Sequence, residues 1–149
     1  MSPLKRHPAL QDLSREHQRF LVQARSIRWC VEGSPHAQSI ADVVQSFLAF
    51  WEREGEPHLR VEEEILVPLC FSIELEAERL LDDHDWLRDH VTRLAGFGQN
   101  DITLLQQIGD RMHDHVRFEE QVIFTKIQKR LSEDELLALG EQLATFHLS

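Results

Sequence analysis

Two histidine–glutamate pairs carry the clearest chemical signal in the chain. His58 precedes Glu62 by four positions, and His115 precedes Glu119 by the same spacing. Residues four apart lie on one face of an α-helix, with about 5–6 Å between their Cβ atoms. Both side chains of a pair can therefore bind the same ion. Imidazole and carboxylate groups suit iron, manganese or zinc, so the spacing predicts two halves of a metal site.

Two further histidines, His17 and His84, complete the candidate set. Each of the four histidines lies in line with the apolar residues of a different predicted helix, and the glutamates follow on the same stripes. Pairs with this spacing arise readily by chance in a chain with nine histidines. Their placement is more specific, because a buried charge is costly unless it is paired or bound to metal. The alternative is a helical bundle with ordinary polar contacts in its core.

The sequence around the first pair recurs around the second. Residues 58–67 read HLRVEEEILV, and residues 115–124 read HVRFEEQVIF. A fainter similarity relates residues 16–20 to residues 83–87. The first two helices therefore look like a diverged copy of the third and fourth. Packing of the two helix pairs about a two-fold axis would bring four histidines and two glutamates together.

In this arrangement each ion takes its histidines from one half of the repeat, and both glutamates span the two ions. The bridging carboxylates would offset positive charge that a dry core cannot otherwise hold. The predicted ligands are His17 and His58 for one ion, His84 and His115 for the other, and Glu62 and Glu119 as bridges. Nearby acidic residues are interpreted as a solvated face rather than as ligands; these are Glu54, Glu63, Glu64 and Glu120.

The elements that must position these residues are helices. Apolar residues recur at spacings of three and four, the helical period, and no segment shows sustained strand-like alternation. The predicted helices cover about residues 8–32, 39–70, 74–95, 102–131 and 133–146. Asp101 should cap the fourth helix, and Ser132 with Glu135 should form a capping box for the fifth. Pro57 should bend the second helix just before His58.

The predicted fold class is all-α. Four long helices with short connections favour an antiparallel up-down-up-down four-helix bundle, here with a short C-terminal fifth helix. The 149 residues fit one domain, with the bundle over about residues 9–131 and the last helix over about residues 133–146. The apolar side of that last helix packs either on the bundle or on a second subunit, so a homo-oligomer stays open.

The composition excludes several classes of function. The chain has 26 acidic and 16 basic residues and a formal net charge of −10, whereas nucleic acids and anionic membranes are bound by basic surfaces. No apolar run is long enough for a membrane span or a signal peptide, so a cytoplasmic protein is expected. Two cysteines make neither a disulfide framework nor a thiolate metal site.

The pattern of His17, His58-x3-Glu62, His84 and His115-x3-Glu119 resembles the hemerythrin-like, cation-binding HHE domains. It covers all four main helices and most of the chain. The resemblance implies a non-haem di-iron centre, with two iron ions and an oxo or hydroxo bridge, and zinc or manganese suit the same ligands. It also implies reversible binding of dioxygen, with oxygen or iron sensing, iron handling, nitric oxide response and peroxide breakdown among relatives.

One position departs from the family pattern. The oxygen-carrying members have a second histidine one turn after the histidine of the third helix, and this chain has Arg88 there. A guanidinium stays protonated and does not ligate metal. We expect Arg88 to face a more open coordination position in the ligand pocket and to stabilise a bound anion.

Three interpretations of function follow. The first is a hemerythrin-like di-iron protein that binds dioxygen, peroxide or nitric oxide. The second is a di-iron enzyme of the peroxidase or catalase type, which an open metal position beside Arg88 would favour. The third is a non-redox bundle that a metal stabilises and whose surface binds a partner protein. Peroxide consumption and the colour of the iron-loaded protein distinguish them.

Overall fold

Five helices joined by short turns make up the part of the chain that the computed structural model describes, residues 5–97 and 100–148. Helix α1 is Pro8–Glu32, α2 runs through residues 40–72, α3 is Ala77–Gly96, α4 runs through residues 102–130, and α5 is Glu133–Leu148. The described residues contain no strand. The all-helical fold class is therefore confirmed.

Local chemistry explains where the helices begin and end. The side chains of Ser39 and Asp101 each accept a hydrogen bond from a backbone N–H in the first turn of α2 and α4, which pairs a donor that has no partner inside the helix. Gly33 ends α1 with a φ of 68°, a left-handed conformation that glycine adopts without strain. Ser132 and Glu135 hydrogen-bond each other's backbone N–H, so the predicted capping box is confirmed.

The third helix starts later than predicted. Its predicted start is residue 74, but Glu74 has a φ of 58°, and α3 begins only at Ala77. The backbone N–H of Leu75 donates to the carbonyl of Cys70, so these residues close the end of α2 instead. A residue in the left-handed region cannot continue a right-handed helix. At the other end of the chain, α5 continues to Leu148, two residues beyond its predicted end.

Three turns of the long helices are π-helical. They are Trp51–Gly55 and Glu62–Leu66 in α2 and Glu119–Ile123 in α4. Such turns are rare, and they occur frequently at functional sites. Two of the three begin at a glutamate of the predicted metal site. The third, Trp51–Gly55, ends two residues before Pro57, and the bend expected just before His58 stays a prediction.

Neighbouring helices contact each other in opposite residue order. Ser14 of α1 hydrogen-bonds Glu120 of α4, whereas Ile27, near the other end of α1, lies against Gly109. Contacts between α1 and α2 and between α2 and α3 show the same reversal. The helices therefore pack side by side as a bundle.

Two apolar clusters fill the bundle and leave a polar layer between them. Along α1, His17 lies between Leu13 of the first cluster and Phe20 of the second. Along α3, His84 lies between Leu80 and Leu87 in the same way. The polar side chains that the described part of the chain buries are His17, His58, Glu62, Asp83, His84, His115 and Glu119. Apolar walls on both sides thus isolate these groups from water.

The last helix packs on the bundle itself. Leu136, Leu139 and Leu143 of α5 are buried in the first apolar cluster, while Leu137 is about half exposed at 53%. The apolar side of α5 is therefore covered without a second subunit. None of the described helices is both long enough and apolar enough to cross a membrane.

The close packing of α1 on α4 leaves no room for a side chain at Gly109. A Cβ at this position would lie 2.9 Å from Cγ2 of Ile27, which is a stiff β-branched side chain. We expect Gly109→Val to lower the free energy of unfolding by about 2 kcal/mol through overpacking, measured by urea denaturation. Ile27→Ala should restore part of that loss in the double variant. The control is Gly96→Ala, whose Cβ meets nothing within 4 Å; equal stability of Gly109→Val and wild type would contradict the prediction.

Candidate metal centre

The six residues predicted to bind metal come together in the polar layer, and each is exposed by no more than 2%. They form two groups that share both glutamates, and the candidate ligand atoms within each group all lie within 4.8 Å of one another. The first group is His17, His58, Glu62 and Glu119, and the second is Glu62, His84, His115 and Glu119. This arrangement matches the division into two halves that the internal repeat indicates.

Glu62 directs one carboxylate oxygen toward the histidines of each group. Its Oε2 lies 3.5 Å from Nε2 of His58, whereas its Oε1 lies 3.2 Å from Nε2 of His84. Glu119 places a single oxygen, Oε1, 3.7 Å from Nε2 of His17 and 2.5 Å from Nε2 of His115. Both glutamates therefore lie between the two pairs of histidines, where a bridging carboxylate has to be.

Eight buried atoms at this place have no hydrogen-bond partner among the described residues. They are Nε2 of each of the four histidines and both carboxylate oxygens of Glu62 and Glu119. An unpaired buried polar atom costs about 1–3 kcal/mol, and more when the group is charged. Eight of them facing one another are explained by cations bound between them, one for each group. Nitrogen and oxygen donors without thiolate suit iron, manganese or zinc, so the residues fit a metal.

The backbone hydrogen-bond pattern of α2 and α4 changes at Glu62 and at Glu119. The N–H of Val67 donates to the carbonyl of Glu62, and the N–H of Phe124 donates to that of Glu119. Both bonds span five residues rather than four, which is the π-helical pattern. In each helix the histidine lies in the regular turn before, so the histidine and the glutamate project from the junction between two helical geometries.

Four carboxylates outside the two groups hold the four histidines in place. Each accepts a hydrogen bond from a histidine Nδ1 over 2.6–3.0 Å; the pairs are His17–Glu120, His58–Glu16, His84–Glu63 and His115–Asp83. A carboxylate at Nδ1 keeps the proton there and leaves the lone pair of Nε2 free for a metal. All four rings are thus oriented with Nε2 toward the shared glutamates.

The outer carboxylates were not among the predicted site residues, yet the sequence contains a signal for them. Each is the immediate neighbour of one of the predicted ligands: Glu16 precedes His17, Asp83 precedes His84, Glu63 follows Glu62, and Glu120 follows Glu119. None of them serves its own neighbour. Each turns to a histidine on another helix instead, in a pattern that the internal repeat reproduces in both halves.

Carboxylates on both sides of the imidazole rings raise the pKa of the histidines against the effect of burial. Burial lowers the pKa of His58, but the charge of Glu62 and the hydrogen bond to Glu16 outweigh it and raise the pKa to about 10. Burial also lowers the pKa of His84, but the nearby carboxylate of Glu62 and the hydrogen bond to Glu63 outweigh it and raise the pKa to about 9. Surroundings that attract a proton to these nitrogens also attract a metal cation, which competes for the same atoms.

Arg88 lies outside both groups. Its guanidinium donates to the carboxylates of Glu63 and Glu56, two acidic residues of α2. The expectation that Arg88 binds an anion at an open metal position stays a prediction. Of the other acidic residues considered, Glu54 pairs with Arg19, and Glu64 is exposed.

Four further histidines of the described chain are not part of either group. His7 caps the start of α1, His36 contacts Trp29, and His90 stacks on Trp86. His113 is half-buried and lies beside Asp114. The side chain of His147 falls outside the part of the chain that the structure describes.

One comparison with known proteins gives a result. The family model for the hemerythrin HHE cation binding domain matches residues 9–127, which is well over half of the chain. The matched region contains all six clustered residues and the four outer carboxylates. Neither the comparison with curated proteins nor the comparison with solved structures finds a match.

Proposed function

Because this chain belongs to the hemerythrin HHE cation-binding domain family, we propose that it holds two iron ions and through them binds dioxygen or a related small molecule. His17, His58, His84 and His115 would supply the imidazole ligands, with Glu62 and Glu119 as bridges. The single observation that carries the proposal is the set of eight unpaired buried atoms facing one another. No other feature of the described chain accounts for them.

We propose that the helices form an antiparallel up-down-up-down bundle in one domain, with α5 packed against it. The reversed order of contacts between neighbouring helices supports this topology. In such a bundle, side chains from facing helices build a site in the core. The internal repeat then relates the two metal positions by an approximate two-fold axis.

The residues of the chain have three tasks at this site. The four Nε2 atoms and the two glutamates bind, and the outer carboxylates keep the proton of each imidazole at Nδ1. Apolar side chains exclude water; Phe124 stacks on His17 with 5.4 Å between ring centroids, and Phe20 lies 4.9 Å from His58. Iron, when bound, supplies redox-active positions at which dioxygen, peroxide or nitric oxide can be held.

Each metal position would have fewer protein ligands than an iron ion commonly takes. Two imidazoles and one oxygen from each glutamate make four donors, whereas iron in oxygen- and nitrogen-rich sites commonly takes six. The structure brings no third histidine into either group among its described residues. This shortfall supports a site that keeps room for a small ligand.

The test is a metal titration of the purified chain. Protein treated with chelator is titrated anaerobically with ferrous iron, and metal content is measured after desalting. We expect two iron ions per chain, as the two donor groups require, and new near-ultraviolet absorption on exposure to air. Rapid peroxide consumption by the loaded protein would instead favour the enzyme. A protein that binds zinc or no metal, and stays colourless after iron loading and air, would overturn the proposal.

A further inference from the structure

A residue outside the two donor groups controls the orientation of one ligand. We propose that Arg88 is a positioning residue, which fixes the carboxylate of Glu63 and through it the ring of His84. The inference rests on the proposed function, since it concerns the same metal site. It gives a role to Arg88, which stands where the oxygen-carrying members of the family have a histidine.

Arg88 grips Glu63 with two hydrogen bonds. Nη1 donates to Oε2 over 2.6 Å, and Nη2 donates to Oε1 over 2.9 Å. Two parallel bonds of this kind set the plane of the carboxylate as well as its position. A lysine has a single point charge in place of this fork, so it would hold Glu63 without fixing its plane.

The constraint that Arg88 places on Glu63 acts directly on the imidazole of His84. The oxygen of Glu63 that accepts from Arg88, Oε2, also accepts from Nδ1 of His84 over 2.8 Å. On the other edge of the same ring, Nε2 lies 3.2 Å from Oε1 of Glu62. Any rotation of the Glu63 carboxylate therefore turns the His84 ring away from the bridging glutamate.

The guanidinium is anchored on its other side as well. Its Nε donates to Oε2 of Glu56 over 2.8 Å, and Nη2 reaches Oε1 over 3.3 Å. Glu56 and Glu63 are seven positions apart in α2, so Arg88 of α3 spans about two turns of the neighbouring helix. These four hydrogen bonds direct the guanidinium toward Glu56 and Glu63 rather than toward the two groups of candidate metal ligands. The contacts therefore favour a positioning role over the binding of an anion.

The effect of Arg88 is confined to one of the four histidines. Asp83, the partner of His115, is held by Arg111 instead. Glu120, the partner of His17, accepts from Ser14 and lies 3.6 Å from Arg6. Loss of Arg88 should consequently weaken the metal position of His84 and His115 and leave the position of His17 and His58 intact.

The experiment is a ferrous titration of chelator-treated Arg88→Met, which keeps the length of the side chain but removes its charge and donors. Removal of outer-shell partners costs about 10- to 100-fold in metal affinity. We expect a loss of about 10-fold for one ion and none for the other, with the Mössbauer signal of only half of the iron altered. Arg88→Lys should recover part of the affinity. The matched control is Arg60→Met, which removes an exposed charge 3.6 Å from Glu56 without a contact to Glu63.

A double variant tests whether the effect runs through Glu63. In a Glu63→Gln background, Arg88→Met should have no further effect on the weaker ion. Additive losses, equal weakening of both ions, or two ions bound as in wild type would each overturn the role of Arg88. Azide binding lost from Arg88→Met at unchanged iron affinity would also overturn it, in favour of an anion site. If the wild type binds no iron, the proposed function fails first, and the role of Arg88 fails with it.

Discussion

Glu62→Gln should abolish the binding of both metal ions at once. Glu62 belongs to both donor groups, and its two oxygens face different histidines. Glutamine keeps the volume of the side chain but is neutral and a weaker ligand, so each group loses one of its two charged ligands, and the two positions lose one of their two shared carboxylates. We expect iron content to fall from two ions per chain to near zero at a concentration that saturates the wild type, measured by mass spectrometry of the metal after desalting.

Two comparison variants make this result specific to the bridge. Glu64→Gln changes an exposed carboxylate two positions away on the same helix and should keep both ions. His84→Ala removes a ligand from the second group only, so it should release one ion before the other. A Glu62→Gln protein that still binds one ion tightly would show that Glu62 is not shared.

Removal of metal should lower the melting temperature substantially. An ion that binds only the folded chain stabilises it by about 4 kcal/mol when its free concentration is 1,000 times Kd. For chains of this size each kcal/mol shifts the melting temperature by about 2–4 °C, so one ion accounts for roughly 10 °C and two ions for more. The measurement is thermal unfolding by circular dichroism, with chelator and again after iron is restored.

The direction of this effect follows from the unpaired atoms. Without a cation, eight buried donor and acceptor atoms have no partner of good geometry. The free-energy cost of leaving them unpaired destabilises only the folded state. Glu62→Gln should therefore melt at one temperature whether iron is present or not. Equal melting temperatures of the chelated and iron-loaded wild type would contradict a site that contributes to folding.

The sequence predicts the first helix to the residue and the caps of the fourth and fifth helices. The reason is that these features depend on local chemistry: Gly33 in the left-handed region, Asp101 at a helix start, and Ser132 facing Glu135. The clustering of the six candidate ligands was also predicted, because helical period and the internal repeat together determine which faces meet. The identity of the metal and its small ligand stays a prediction.

Two other features, the turn at Glu74 and the contacts of the outer carboxylates, were not predicted. The turn at Glu74 is closed by a hydrogen bond to the end of α2. A glutamate at this position does not predict a turn. Of the outer carboxylates, Glu63 and Glu120 were interpreted as part of a solvated face, since a glutamate beside a ligand usually points to water, and Glu16 and Asp83 were given no role. Glu63 and Glu120 reach histidines on other helices instead, and only the packing of the bundle reveals that.

The π turns have a consequence for how this sequence can vary. Each turn contains one residue more than a regular α-helical turn would, and each residue advances a helix by about 100°. Loss of one codon between residues 62 and 66 would restore an unbroken α-helix, and the faces before and after it would keep their directions, because the π turn only accommodates the extra residue. Leu66 and Cys70, both at 0% exposure, would then stay in the core, whereas α-helical geometry without the deletion would rotate them about 100° away from the line of His58. The π turn is therefore what keeps the end of α2 in register with its first part, so a one-residue deletion here should harm the core less than the same deletion in a regular turn of α2.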